Sequence, residues 1–395
     1  MSRVLKDIFP PLTLGLLGII AAWVFVPRGM PSPVYLDYAH TLLNGEKLTD
    51  RFMPTGYPAL LALGISLAGD SYGIFLTQAG AYGLTVLLAW MVLRYGGLTP
   101  AAAFLGTALI AFHPYMILNI NRITYNSVAP PFFMLAIFVL WFPSRFNGRF
   151  WTFLCGATLG ALLVIRPNIL TVMPIVFGAL TLWAPWRVPI VLATAMTLGF
   201  IALSLAATGQ IFAWPTNGSY NLFGGFNAYT EAALWEHMHV EPSIGKALGA
   251  LSIPHGPNEV SPEIFNALAW NFITEHPVDV IRGFFVKALT LFRPDYRTST
   301  GWAKLAVQTI LVIPVLFWFM VMLRRRCDDG LGRGRRTALF AAFYLLPFVI
   351  LNADPRYRYL FDLVVLLHLT MMLERWVNGP VVTHQSNQFP KSVKI

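Results

Sequence analysis

Long apolar stretches alternate with short polar ones along almost the whole chain of 395 residues. A bilayer core of about 30 Å needs roughly 20 apolar residues per helix, and about ten stretches approach that length. The pattern therefore predicts an all-α polytopic membrane protein with about ten transmembrane helices. The predicted spans are 8–27, 72–94, 100–118, 127–143, 150–166, 168–184, 188–207, 302–323, 337–353 and 358–376.

The segment 54–69 decides how these spans are oriented. It is apolar but short, begins with Pro54 and contains Gly56, Gly64 and Gly69. Counted as a full span, it would reverse every later loop and place the basic loop Arg324–Arg336 outside, against the positive-inside rule. We therefore expect 54–69 to be interfacial or partly inserted, with both termini in the cytoplasm.

The long predicted outer loop 208–301 carries two helical patterns. Positions 261–276 favour a helix, and positions 277–292 are amphipathic. We expect the second helix to lie on the outer membrane surface. Its apolar face has Val278, Ile281, Phe284, Phe285, Ala288, Leu289 and Phe292, and its opposite face has Asp279, Arg282 and Lys287.

These elements predict a single membrane-embedded unit over residues 1–395. Its parts are an N-terminal helical module 1–207 with the first outer loop 28–71, a periplasmic loop 208–301, C-terminal spans 302–376 and a cytoplasmic tail 377–395.

Composition narrows the function classes. The chain is 56% hydrophobic and only 12% charged, whereas soluble domains carry about 25% charged residues. The net charge of +10 does not indicate a nucleic-acid partner, because no basic stripe interleaves with exposed aromatic residues. Cys155 lies in an apolar span and Cys327 in a basic loop, so we expect no disulfide.

Asp37 is the most informative carboxylate, because it follows the first span directly. Asp37, His40, Thr41 and Asn44 are spaced i, i+3, i+4, i+7 and share one helix face. A charged residue beside a membrane is costly unless it is solvated or paired. This face is either the solvated side of a surface helix, or it presents Asp37 as a catalytic base to an outer cavity.

Arginines accumulate at the predicted outer boundary, where short translocated loops normally avoid them. The planar guanidinium suits phosphate recognition, although a single arginine at a helix end is usually a snorkelling anchor. Arg166 stands out, because it interrupts a long apolar stretch and precedes Pro167. Together these residues predict an anionic headgroup site: Arg28, Arg51, Arg122, Arg166, Arg282, Arg293, Arg356 and Arg358.

Other kinds of site are weakly indicated. Residues 214–229, WPTNGSYNLFGGFNAY, have the composition of a carbohydrate-binding loop. His237 and His239 lie between Glu236 and Glu241, but the pattern defines no third metal ligand. We predict no cofactor and no metal site, although a divalent cation is compatible with the chemistry.

Several motifs, taken in order, resemble the GT-C superfamily of polyprenyl-phosphate-sugar-dependent glycosyltransferases. The branch is the one that holds protein O-mannosyltransferases and the lipid A aminoarabinose transferase. The resemblance covers nearly the whole chain. Its motifs are YLDYAHTLLNG (35–45), RFMPTGYP (51–58), Arg166-Pro167, Asn217-Gly218 with Asn221, Gly224-Gly225 and Asn227, His276-Pro277 with Lys287 and Leu291-Phe292-Arg293-Pro294, and Arg356-Tyr357-Arg358.

The resemblance implies a GT-C-like fold and an inverting sugar transfer on the outer face of a bacterial inner membrane. The donor would be a polyprenyl-phosphate sugar, and the acceptor an envelope glycolipid, polysaccharide or protein. Relatives often carry the catalytic acid just before Tyr35, where this chain has 30–32 (Met-Pro-Ser), so the role of base falls to Asp37. The donor phosphate is assigned to Arg166, Arg293, Arg356 and Arg358, and the sugar or acceptor to His40, Arg51, Tyr57, Arg122, Asn217 and Asn221.

Two alternatives stay open at this point. An O-antigen polymerase or ligase also uses outer arginines, but its essential groups lie in a large late loop and it would not need Asp37. A transporter or flippase of lipid-linked sugars would bind the lipid and would need no base.

Overall fold

A computed structural model describes residues 3–25, 33–46, 48, 54–141, 157–158, 160–162, 164–166, 196, 217–237, 240–253, 260–292, 313–314, 317, 344–345, 348–351 and 355–378. Throughout these residues the chain forms helices and turns and no strand. The predicted all-α class is therefore confirmed for the part of the chain described. The predicted spans 168–184, 188–207 and 302–323 lie almost wholly outside it, and Arg51 and Arg293 lie outside it.

The described helices fall into an N-terminal group, a group in the predicted outer loop and a last helix. The first group is α1 (Arg3–Phe25), α2 (Pro33–Leu43), α3 (Gly56–Tyr95), α4 (Pro100–Ala111), α5 (Pro114–Ile120) and α6 (Ala129–Trp141), with a 3-10 turn at Tyr125–Ser127. The others are α7 (Asn217–Gly225), α8 (Thr230–His237), α9 (Glu241–Ala250), α10 (Pro262–Glu275), α11 (Pro277–Phe292) and α12 (Pro355–Asn378).

Local sequence explains where several helices begin. Thr99 caps α4, because its hydroxyl oxygen accepts a hydrogen bond from the amide of Ala102 at 3.3 Å. Pro100 occupies the first turn, where a missing N–H costs nothing. Pro114 starts α5 in the same way after His113, and α4 and α5 are bent by 57° relative to each other.

The long helix α3 folds back on itself at Gly69. Gly69 has φ 73° and ψ 171°, a backbone conformation that is essentially restricted to glycine. Residues before and after it meet in antiparallel order. The Gln78 amide donates to the Tyr57 hydroxyl at 3.1 Å, and a Cβ on Gly64 would lie 2.6 Å from the Gly73 carbonyl oxygen. Limbs 56–68 and 70–95 therefore form a hairpin.

The first helix, α1, runs antiparallel to the second limb of this hairpin. Trp23 meets Phe75 edge-to-face at 5.7 Å, and Gly15 approaches the backbone of Gly83. Gly69 precedes Phe75 by six residues, and α1 ends two residues after Trp23. The tip of the hairpin therefore projects past the end of α1. The expectation that 54–69 is interfacial or partly inserted stays a prediction.

Few described helices meet the length and hydropathy of a membrane span. Helix α3 does so, α4 and α5 do so as one bent pair, and Ile8–Val24 within α1 is a shorter apolar stretch. The described residues therefore leave the count of about ten spans, and the division of the chain into parts, as predictions.

Helix α11 has the predicted bounds, and Asp279 and Arg282 of its predicted polar face are exposed, whereas Lys287 is not. Val278, Ile281, Phe285 and Leu289 are the exposed apolar stripe, at 58–75% exposure. The prediction that Lys287 belongs to a solvated face is wrong, because Lys287 is 0% exposed. The side of α11 that carries Lys287 packs against α8 and α12 and the aromatic residues around Phe226, rather than facing water.

Candidate functional site

Helix α2 directs its aromatic residues inward and its acidic residue outward. Tyr35 is buried and contacts the rings of Tyr57 at 5.1 Å and Tyr125 at 6.4 Å, measured between centroids. Asp37 is exposed, and among the described residues nothing donates to or pairs with its carboxylate. Because successive helical positions are about 100° apart, Asp37 points away from the side that carries Tyr35.

The other polar residues of α2 lie near the tip of the α3 hairpin. His40 Nε2 is 3.7 Å from an Asp70 carboxylate oxygen, and both side chains are about half exposed or more. The hydroxyl of Thr41 donates to the backbone carbonyl of Asp37 at 2.7 Å. The predicted polar face is therefore present and solvent-accessible, and His40 is turned towards an acidic partner.

Arg166 is buried in an aromatic setting. Only 1% of the residue is exposed, and its guanidinium carbon lies 5.7 Å, 5.5 Å and 5.1 Å from the ring centroids of Tyr125, Tyr344 and Phe348. Arginine stacks favourably on aromatic faces. A cation at this depth is costly unless its surroundings compensate for lost hydration.

Arg358, by contrast, is an ion-paired residue. Its Nε donates to both carboxylate oxygens of Asp362, at 3.0 Å and 3.1 Å, and its Nη1 donates to the Leu291 carbonyl at 2.9 Å. Arg358 and Asp362 are 3% and 2% exposed. His113, also fully buried, has Nε2 3.6 Å from Asp362 Oδ2. The charge of Arg358 is thus balanced within the fold.

Tyrosines connect the two arginines. The Tyr359 hydroxyl donates to the carbonyl of Asn126, the residue that follows Tyr125. Tyr359 also lies within electrostatic reach of Arg166, Tyr344 and Tyr125. The 3-10 turn at Tyr125–Ser127, the segments at 164–166 and 344–345, and α12 therefore bring together an arginine–tyrosine cluster, which we define as Arg166, Arg358, Asp362, Tyr125, Tyr344 and Tyr359.

Tyr57 and Arg122 contribute to the base of the hairpin. Gln78 Nε2 donates to the Tyr57 hydroxyl and, at 2.7 Å, to the Arg122 carbonyl. The hydroxyl of Ser127 donates to the same carbonyl at 2.8 Å. Tyr57 is buried, whereas the Arg122 residue is exposed. In this structure these contacts tie α3 to the turn before α6.

The remaining sequence-predicted residues lie on two other helices. Asn217 begins α7, Asn221 is half-buried on the same helix, and Arg356 belongs to the first turn of α12. The asparagine-rich segment has a structural role at Asn227, whose amide donates to the Phe223 carbonyl at 2.8 Å and to Ser243 Oγ at 3.0 Å. The prediction missed His113 and Asp362, and it misjudged the environment of Lys287.

No group of three or more histidine, cysteine, aspartate or glutamate residues within the described ranges has the geometry to hold a metal ion. His237 lies 3.4 Å from Glu236, and the second histidine of the pattern, His239, is outside those ranges.

No known protein family matches the sequence, and no curated protein matches it. Solved structures that are similar to this chain include three at low sequence identity. The first is the archaeal oligosaccharyltransferase AglB from Archaeoglobus fulgidus in complex with an inhibitory peptide and a dolichol-phosphate. It has 15% sequence identity and a TM-score of 0.46 over 95% of this chain. The chain spans 50% of the length of AglB.

The other two are structures of ArnT from Cupriavidus metallidurans. The apo structure has 14% identity and a TM-score of 0.39, and covers 94% of this chain and 78% of ArnT. The structure bound to undecaprenyl phosphate has 15% identity and a TM-score of 0.38, and covers 95% and 78%.

Proposed function

We propose that the protein is a membrane glycosyltransferase that moves a sugar from a polyprenyl-phosphate donor to an envelope acceptor. The observation that carries the proposal is the buried Arg166, surrounded by Tyr125, Tyr344 and Phe348. A guanidinium held in an apolar, aromatic setting suits a ligand that combines a phosphate with a long hydrocarbon tail.

Exposed apolar surface supports the membrane setting. Helix α1 exposes Phe9, Leu12, Leu16, Ile20 and Trp23, at 49–62%, along one side. A contiguous apolar stripe of this length is unfavourable in water and favourable against lipid. The exposed stripe of α11 extends the same argument to the predicted outer loop.

The proposed reaction is a direct displacement at the anomeric carbon, with inversion. Asp37 takes the proton of the acceptor hydroxyl as general base, a role that typically contributes about 10²–10⁴-fold. Arg166 stabilises the phosphate as it departs. Because Arg358 already bonds to Asp362 and Leu291, we assign it to shaping the phosphate site and leave direct contact to Arg166 and Arg356.

The test begins with purified protein, polyprenyl-phosphate sugars and envelope acceptors, and measures released polyprenyl phosphate together with the anomeric configuration of the product. Asp37→Asn should fold but lose transfer by about 10²-fold or more. Asp279→Asn is the matched control, because Asp279 is an exposed aspartate on α11. Wild-type turnover by Asp37→Asn would remove Asp37 as the base.

The phosphate assignment has its own variant. Arg166→Ala should raise the KM for the lipid donor, whereas Arg282→Ala should not. Arg282 is an exposed arginine that pairs with Glu231 at 2.8 Å. Unchanged donor kinetics in Arg166→Ala would exclude it from the site. Donor binding by the wild type without any release of polyprenyl phosphate would instead indicate a transporter.

A further inference from the structure

Lys287 is a buried lysine on the inner side of α11. The residue is 0% exposed, and its Nζ donates to the carbonyl of Ile350 at 2.7 Å. Nζ also lies 3.9 Å and 5.5 Å from the ring centroids of Phe226 and Phe284. Among the residues that the structure describes, the amine has one hydrogen-bond acceptor and two aromatic neighbours.

Helix α11 contacts the chain on both sides of the last predicted outer turn. Before the turn, Lys287 binds the carbonyl of Ile350. After it, Arg358 Nη1 donates to the carbonyl of Leu291, one helical turn along α11 from Lys287. The backbone of α7 closes in on the same place, because a Cβ at Gly225 would overlap the Leu351 carbonyl oxygen.

Packing alone does not account for a lysine at this position. Burial lowers the pKa of the Lys287 amine to about 7, which shows that the site disfavours the charged form. A methionine would fill a similar volume without that cost. The lysine amine supplies a contact with the Phe226 ring and the hydrogen bond that reaches across to Ile350, and only the hydrogen bond links α11 to the chain before α12.

We propose that Lys287 is a positioning residue of the donor site. With the Leu291 carbonyl, it holds the turn that leads into α12 and thereby sets the placement of Arg356 and Arg358. The inference rests on the proposed function, since the positioned arginines serve the lipid phosphate there. Lys287 itself touches neither the phosphate nor the sugar in this scheme.

The experiment uses the full-length protein in two variants and one control. Lys287→Met removes the amine that donates the hydrogen bond and keeps an apolar side chain of similar length. Gly225→Ala displaces the Leu351 carbonyl from the other side. Lys246→Met is the control, because Lys246 is a half-exposed lysine on α9. For each protein, KM for the lipid donor, kcat and hydrogen exchange around Ile350 and Arg358 are measured.

A hydrogen bond of ordinary strength corresponds to a change of roughly five- to tenfold in an equilibrium. We expect both variants to raise the donor KM by about that factor, to change kcat by less than about threefold, and to speed exchange near Ile350. Lys246→Met should match the wild type in all three. A donor KM within about twofold of the wild type in both variants, with unchanged exchange, would overturn the proposal.

The two proposals can fail separately. If the wild type releases no polyprenyl phosphate with any donor, the proposed transferase function fails. Hydrogen exchange in Lys287→Met still decides whether the lysine holds the turn, since that readout needs no catalysis. Faster exchange supports the positioning role, and unchanged exchange refutes it.

Discussion

Raising the pH from 7 to 9 should stabilise the folded protein through Lys287. Burial lowers its pKa from 10.5 to about 7, so between these values the unfolded chain binds more protons than the folded one. Stability therefore rises with pH across this window, and the cost of the buried charge is fully present below about pH 7. At 1.36 kcal/mol per pKa unit, the whole cost is about 5 kcal/mol.

About 2 kcal/mol of this cost is relieved between pH 7 and pH 9. The measurement is the free energy of unfolding in detergent micelles, by denaturant titration, at both pH values. The wild type should gain about 2 kcal/mol relative to Lys287→Met over this range. Lys246→Met should follow the wild type, because its lysine is half-exposed. An equally steep pH dependence in Lys287→Met would refute the reasoning.

Two further variants test the buried ion pair and the hairpin. Asp362→Asn leaves Arg358 buried without its counter-charge and should lower the unfolding free energy by about 3–5 kcal/mol; an effect no larger than that of the exposed Asp279→Asn would contradict this. Gly69→Ala should cost about 1–3 kcal/mol through backbone strain alone, since a Cβ there meets nothing within 4 Å. Gly80→Ala, equally unobstructed but within the second limb, should not be destabilising, and equal losses in the two would argue against the strained turn.

The sequence predicted helix bounds better than helix surroundings. The period of apolar residues gave α11 its limits, 277–292, but the pattern shows only that two faces differ. It does not say which face meets water, lipid or protein. Lys287 was therefore placed on a solvated face, whereas its partner Ile350 is 63 residues away in the chain.

The candidate site was only partly predictable, because a local pattern can single out a residue but not its neighbours from distant parts of the chain. Arg166 was predictable because it is a single charged residue that interrupts an apolar run. Its aromatic neighbours Tyr344 and Phe348 are distant in sequence and gave no local signal. Arg358 and Asp362 are spaced i, i+4 on α12, a pattern that indicates an ion pair on a helix. That spacing was the available clue to Asp362.

The positive φ of Gly69 also limits the length of continuous helix in α3. A continuous helix over the 40 residues Gly56–Tyr95 would measure about 60 Å at 1.5 Å per residue, roughly twice the hydrocarbon thickness of a bilayer. Such a rod would have to tilt steeply or thicken the lipid around it. A single residue without a side chain removes this mismatch, because it leaves a second limb of 26 residues, about 39 Å, and turns the first limb back alongside it.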